Sequence, residues 1–150
     1  SSHSRTGYVI KYAGCPIVWA SKMQPLIALS TTEAEYIALS SALREVIAVM
    51  NLIHELQGQG SPLHQGTPKV ICRTFEDNMS CIEIATNHKT RPRTKHLSVR
   101  LHHFRSHIVN KTITVEHIST KEQLADMFTK PLALELFTKF RDRLMSWGPN

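Results

Sequence analysis

Apolar and polar positions fall into two short strand-like runs near the start of the chain. Residues 7–13 (GYVIKYA) and 15–21 (CPIVWAS) are aromatic and β-branched, and Gly14 between them supplies a turn, so the pair reads as a β-hairpin. After Ser30 helix-forming residues run to about residue 57. Gly58, Gly60, Pro62, Gly66 and Pro68 then mark a loop. Residues 69–75 (KVICRTF) form another strand candidate that stops at Glu76-Asp77-Asn78, and a short helix is predicted over 79–86. Pro92 precedes a second predicted helix, about 95–109, and a strand over 112–118 follows. Ser119 and Thr120 are expected to cap a helix that reaches Pro131, and a last helix is expected from Pro131 to about residue 147, because proline suits a first helical turn. The order ββαβααβαα predicts one α/β domain over residues 1–150 with a mixed sheet, without internal repeats.

Composition narrows the class without naming a chemistry. With 150 residues, 41% apolar and 20% charged, the chain can bury a core of its own. No apolar run is read as reaching the ~20 residues that span a bilayer. No leader peptide is expected ahead of Ser1, and no membrane partner. Cys15, Cys72 and Cys81 lack metal-ligand spacing; Cys15 and Cys72 sit in strand-like runs and are expected as buried free thiols of a reducing compartment.

The net charge of +6 changes the picture through its distribution. Lys89, Arg91, Arg93, Lys95, Arg100, Arg105 and Lys111 fall together with His88, His96, His102, His103 and His107, and no acidic residue interrupts them. A solvated basic face is the plain reading. Phosphate binding is favoured over it, because charge of one sign concentrated on one element repels itself unless a partner compensates.

Three carboxylates then stand out. Ser30 followed by Glu33 fits a capping box, which gives Glu33 a structural role. Glu35 heads a different line: steps of four and three reach Leu39, Ala42, Val46, Val49, Ile53 and Leu56, a small-or-apolar seam expected to pack on the sheet. A carboxylate there needs a cation or a donor unless it escapes to solvent at the helix start. Asp77 closes a strand where α/β folds gather ligands, and Asn78 could serve as the following N-cap and leave Asp77 free. Asp126, near the start of a predicted helix, reads alone as a dipole-compensating residue. Together the three form an oxygen-rich set of the kind a hard divalent cation prefers, although spacing alone does not establish it.

Taken in order, the segments Ser4-Arg-Thr-Gly-Tyr-Val9, Pro16-Ile-Val-Trp-Ala-Ser-Lys22, Leu29-Ser-Thr-Thr-Glu-Ala-Glu-Tyr-Ile-Ala-Leu39, Glu76-Asp-Asn78, Arg93-Thr-Lys-His96 and Gln123-Leu-Ala-Asp-Met-Phe-Thr-Lys130 resemble the ribonuclease H domain of copia-type LTR retrotransposon polyproteins. The resemblance covers nearly the whole chain. It implies a ribonuclease H-like mixed sheet flanked by helices, and metal-dependent cleavage of the RNA strand of RNA–DNA hybrids during reverse transcription. It implies catalytic and metal-holding roles for Glu35, Asp77 and Asp126, two Mg²⁺ or Mn²⁺ ions, a reverse transcriptase domain as partner, and a cytoplasmic retrotransposon particle or the nucleus as location. Arg93, Lys95 and Arg100 become candidates for hybrid-backbone contacts, with Asn78 and Thr94 as polar contacts, since an enzyme that tolerates many sequences binds backbone and shape.

The chain departs from that family at its start. The family's first strand carries a further catalytic Asp, whereas here no acidic residue occurs before Glu33, so that strand reads as missing or truncated. Lys95-His-Leu-Ser98 and Arg105-Ser106 also replace more acidic family segments. A catalytically impaired domain that binds nucleic acid, or that serves a structural role beside reverse transcriptase, is the alternative. His103 and His107 could face one way, but zinc would need further ligands and a shaped site.

Overall fold

The computed structural model describes residues 3–62, 69–87 and 102–148. The hairpin forms as expected and extends further at its open end: β1 (Arg5–Tyr12) pairs antiparallel with β2 (Cys15–Met23). Ala13 and Gly14 make the turn with φ of 51° and 79°. Two positive φ values in a two-residue loop match the right-handed twist of the flanking strands.

Helix α1 (Thr31–Gly58) is the largest element. The Ser30 hydroxyl accepts a hydrogen bond from the Glu33 N–H at 3.1 Å, and the Glu33 carboxylate accepts from the Leu29 N–H at 3.2 Å. This is the expected capping box with its return bond shifted by one residue. The buried line runs through Tyr36, Leu39, Leu43, Val46, Met50 and Ile53. The seam expected from Glu35 is therefore the flank of the buried stripe rather than its middle, with Ala42 and Val49 only half-buried. Contrary to the expectation from its apolar runs, α1 is long and apolar enough to cross a membrane by length and composition. In this fold its apolar side forms the core with Cys81, Phe104 and Ile113, and the Tyr36 and Phe104 rings meet edge-to-face at 6.4 Å.

Strand β3 (Cys72–Glu76) begins later than expected and pairs in parallel with β4 (Ile113–His117). Between them α2 (Met79–Thr86) starts at Asn78, whose side-chain oxygen accepts from the Cys81 N–H at 3.0 Å. Of the predicted helix over 95–109, a 3-10 turn (His102–Phe104) and a short α3 (Arg105–Val109) are described. Arg93, Thr94, Lys95 and Arg100 lie outside the described residues. Instead of one mixed sheet, the described residues form a two-stranded antiparallel sheet and a two-stranded parallel sheet. The chain is a mixed α/β fold with small sheets and helices.

Three expectations need correction. The segment after β4 is not an α-helix but two 3-10 turns, Thr120–Glu122 and Leu124–Phe128. Gln123 between them has ψ of 97°, and its side chain donates to the Phe75 carbonyl at 3.0 Å, a tertiary contact that a continuous helix would forgo. The last helix, α4 (Leu134–Met145), starts after Pro131 because Ala133 is extended, with ψ of 147°. Cys15 is exposed at the first position of β2 and Cys72 is half-buried; Cys81 is the buried thiol, and all three are free.

Candidate carboxylate site

The carboxylates singled out in the sequence come from three elements that meet at one end of the parallel sheet. Glu35 sits in the second turn of α1, Asp77 directly follows β3, and Asp126 lies in the second 3-10 turn. That turn is pinned against β1. A Cβ on Gly7 would lie 2.5 Å from Thr129 Cγ2, 2.9 Å from Phe128 Cβ and 3.2 Å from the Ala125 carbonyl, so only glycine permits this approach. All three carboxylates line one cavity of about 450 Å³, floored by Ala38, Leu39, Ala42 and Val46 of α1.

A fourth carboxylate, Glu76, belongs to the group and does not stand out in the sequence. Glu35, Glu76 and Asp77 each offer an oxygen, and these oxygens lie within 4.8 Å of one another. Glu76 is only 6% exposed. Strand alternation is the signal that points to it: Glu76 shares the parity of Cys72 and Thr74, which turn away from solvent while Arg73 and Phe75 face it.

Burial shapes the acidities. Desolvation, then the negative charge of Glu35, pushes the Glu76 carboxyl up to about 9, although it accepts a hydrogen bond from the Asn78 N–H at 3.1 Å. Glu35 is raised as well, first by burial, while its hydrogen bond with Glu76 and the charge of Lys130 pull it back. Asp126 is raised by burial and lowered by Lys130, which it meets at 3.0 Å. The Asp77 carboxylate accepts from the Thr120 hydroxyl at 3.3 Å. Such a crowd of like charges is costly unless protons or cations offset it, and hard oxygen donors suit Mg²⁺ or Mn²⁺.

The other candidates fare differently. Asn78 caps α2, so its oxygen is already engaged. His107 Nδ1 is 2.9 Å from the Thr112 hydroxyl, and His103 packs edge-on against Phe104, so both have structural contacts. Arg143 lines the cavity but is paired with Glu122.

Comparison with known proteins places the chain. It is 41% identical over 127 residues to the retrovirus-related Pol polyprotein from transposon TNT 1-94 of Nicotiana tabacum, which covers 85% of this chain. It is 32% identical over 141 residues to the Pol polyprotein from transposon RE1 of Arabidopsis thaliana, covering 94% of this chain. The Ty1-DR1 Gag-Pol polyprotein of Saccharomyces cerevisiae is 27% identical over 135 residues. The homologues are retrotransposon Pol polyproteins. The chain spans 9% of the length of the two plant relatives, so it matches one region of those much longer polyproteins. No family model matches, and no solved structure matches.

Proposed function

We propose that this chain is the ribonuclease H domain of a copia-type retrotransposon polyprotein, acting on RNA–DNA hybrid beside a reverse transcriptase domain. A single observation carries the reading: Glu35, Asp77 and Asp126, far apart in sequence and each matched by the family pattern, line one cavity. A polyprotein origin supports it, as does the basic composition. The reading goes with a cytoplasmic retrotransposon particle or the nucleus.

Glu35, Asp77 and Asp126 would hold two Mg²⁺ or Mn²⁺ ions, and the oxygen donor set fits them. When bound, these ions supply Lewis acidity that lowers the pKa of water and offsets charge on a leaving 3′-oxygen. The residues' own work is to set the charge of the cavity. Before any ion binds, burial and the neighbouring Glu35 push the Glu76 carboxyl up to about 9, which favours its neutral form. Thr120 and Lys130 orient Asp77 and Asp126. Asn78 and Thr94, with Arg93, Lys95 and Arg100, are the proposed contacts to the hybrid backbone.

One observation favours the impaired reading for the chain as it stands. The hairpin side of the cavity, residues 7–11, brings no carboxylate at all. Cleavage of a labelled RNA–DNA hybrid in Mg²⁺ and in Mn²⁺ tests both readings. Slow cleavage that disappears in Glu35→Gln and Asp77→Asn supports the nuclease. Binding without cleavage at any metal concentration supports a nucleic-acid-binding or structural role, and cleavage that survives Asp77→Asn removes the site assignment.

A further inference from the structure

Gln24 is a polar residue buried where its apolar neighbours are not. It directly follows β2, and among residues 21–30 it alone is buried, while Met23, Leu26, Ile27 and Leu29 are at least half exposed. Desolvation does not favour a glutamine over four apolar side chains, so its hydrogen bonds hold it inside. The Gln24 Nε2 donates to the Ala34 carbonyl at 2.9 Å and to the Thr6 hydroxyl at 3.2 Å. A carbonyl only accepts, so the amide nitrogen is the atom that faces Ala34. The amide oxygen is buried and finds no partner among the described residues. A methionine of similar length would strand no such acceptor, so packing alone does not call for glutamine here. The two directed bonds do.

Both acceptors belong to elements that carry the site. The Ala34 carbonyl is part of the peptide unit that leads into Glu35, so fixing it fixes the Glu35 backbone. Thr6 precedes Gly7 on β1, and Gly7 abuts the Ala125 carbonyl, Phe128 and Thr129 around the turn that carries Asp126. The Ser21 hydroxyl of β2 ties the same turn to the hairpin, donating to the Phe128 carbonyl at 2.5 Å. The hairpin is thus the common reference for Glu35 and Asp126, which line one cavity.

We propose that Gln24 is a positioning residue for the carboxylate site: bonded to Thr6 and Ala34, it holds the Glu35 carboxylate in place against Asp77 and Asp126. Gln24 does not line the cavity and acts through Glu35. Its bearing on cation binding rests on the divalent-cation reading of the site, whereas the tether itself does not.

Gln24→Met keeps the length of the side chain and removes both donated bonds. In the metal-free chain the ¹³C resonance of the Glu35 carboxyl should shift, while that of Glu55, near the far end of α1, stays. Mn²⁺ binding followed by electron paramagnetic resonance should weaken about tenfold, the loss expected for a residue that orients a metal ligand. Ile53→Val, which loosens buried packing far from the site, controls for a general loss of stability and should change neither reading. Gln24→Asn, too short to reach both acceptors, should give the same pair of changes and serves if the methionine variant does not fold. Two results overturn the positioning role: an unmoved Glu35 resonance in a folded Gln24 variant, or Mn²⁺ affinity kept in that variant although Glu35→Gln abolishes it. Mn²⁺ binding indifferent to Glu35→Gln removes the cation site instead, and a shifted Glu35 resonance then still supports the tether.

Discussion

Glu35 and Glu76 bring carboxyl oxygens within 4.8 Å of each other, one from the second turn of α1 and one from the last residue of β3. Two carboxylates so placed do not both ionise near neutral pH. The Glu76 carboxyl, pushed up to about 9, keeps a proton in the folded chain that it loses near its ordinary value when unfolded. Between those two pH values the folded state binds more protons than the unfolded state, so stability falls as pH rises. Thermal midpoints measured from pH 5 to 9 in metal-free buffer should decline, and Glu76→Gln should flatten that decline. An unchanged slope in the variant would place the protonated group elsewhere.

The approach of the second 3-10 turn to β1 depends on Gly7. Gly7→Ala puts a methyl 2.5 Å from Thr129 Cγ2 and 2.9 Å from Phe128 Cβ, inside van der Waals contact. Urea unfolding should show a loss of about 1–3 kcal/mol, as for other overpacked sites. Thr129→Ser in the same chain removes the nearest clashing methyl and should recover part of that loss.

Asn78 separates a structural role from a contact role. Its oxygen caps α2, so Asn78→Ala should cost about 1 kcal/mol. Asn78→Ser keeps a capping hydroxyl and should restore stability. If hybrid binding, measured by fluorescence anisotropy, also returns with serine, the residue acts through the cap. If binding stays weak while stability recovers, the amide contacts the nucleic acid.

Leu43 is fully buried in the face of α1 that forms the core, and Leu52 on the same helix is 55% exposed. Leu43→Ala should destabilise by about 2–5 kcal/mol, whereas Leu52→Ala should stay within about 0.5 kcal/mol. Comparable losses at both positions would contradict the placement of the core.

Much of this is legible in the sequence because it rests on local rules. The Ala13-Gly14 turn, the Ser30 cap and the Asn78 cap each follow from short-range backbone chemistry. The helical period separates Glu35 from Glu33, even though the buried stripe centres on Tyr36, Leu43 and Met50. What the sequence hides depends on contacts between distant segments. The bond from Gln123 to the Phe75 carbonyl accompanies the break between the two 3-10 turns, and no local propensity encodes it. Glu76 is easily passed over beside Asp77, although strand parity points it inward. The pairing of the described strands into two small sheets, β1 with β2 and β3 with β4, is likewise a tertiary outcome that the order of elements does not encode.

Whether Glu35, Asp77 and Asp126 act as one divalent-cation site is most directly tested by Mn²⁺ binding followed by electron paramagnetic resonance, which does not require turnover. The expected result is saturable binding to the chain that weakens by about tenfold or more in Glu35→Gln and in Asp77→Asn, the loss expected when a ligand to the ion is removed. Binding of equal strength in both variants, with the fold intact by circular dichroism, would contradict a shared site.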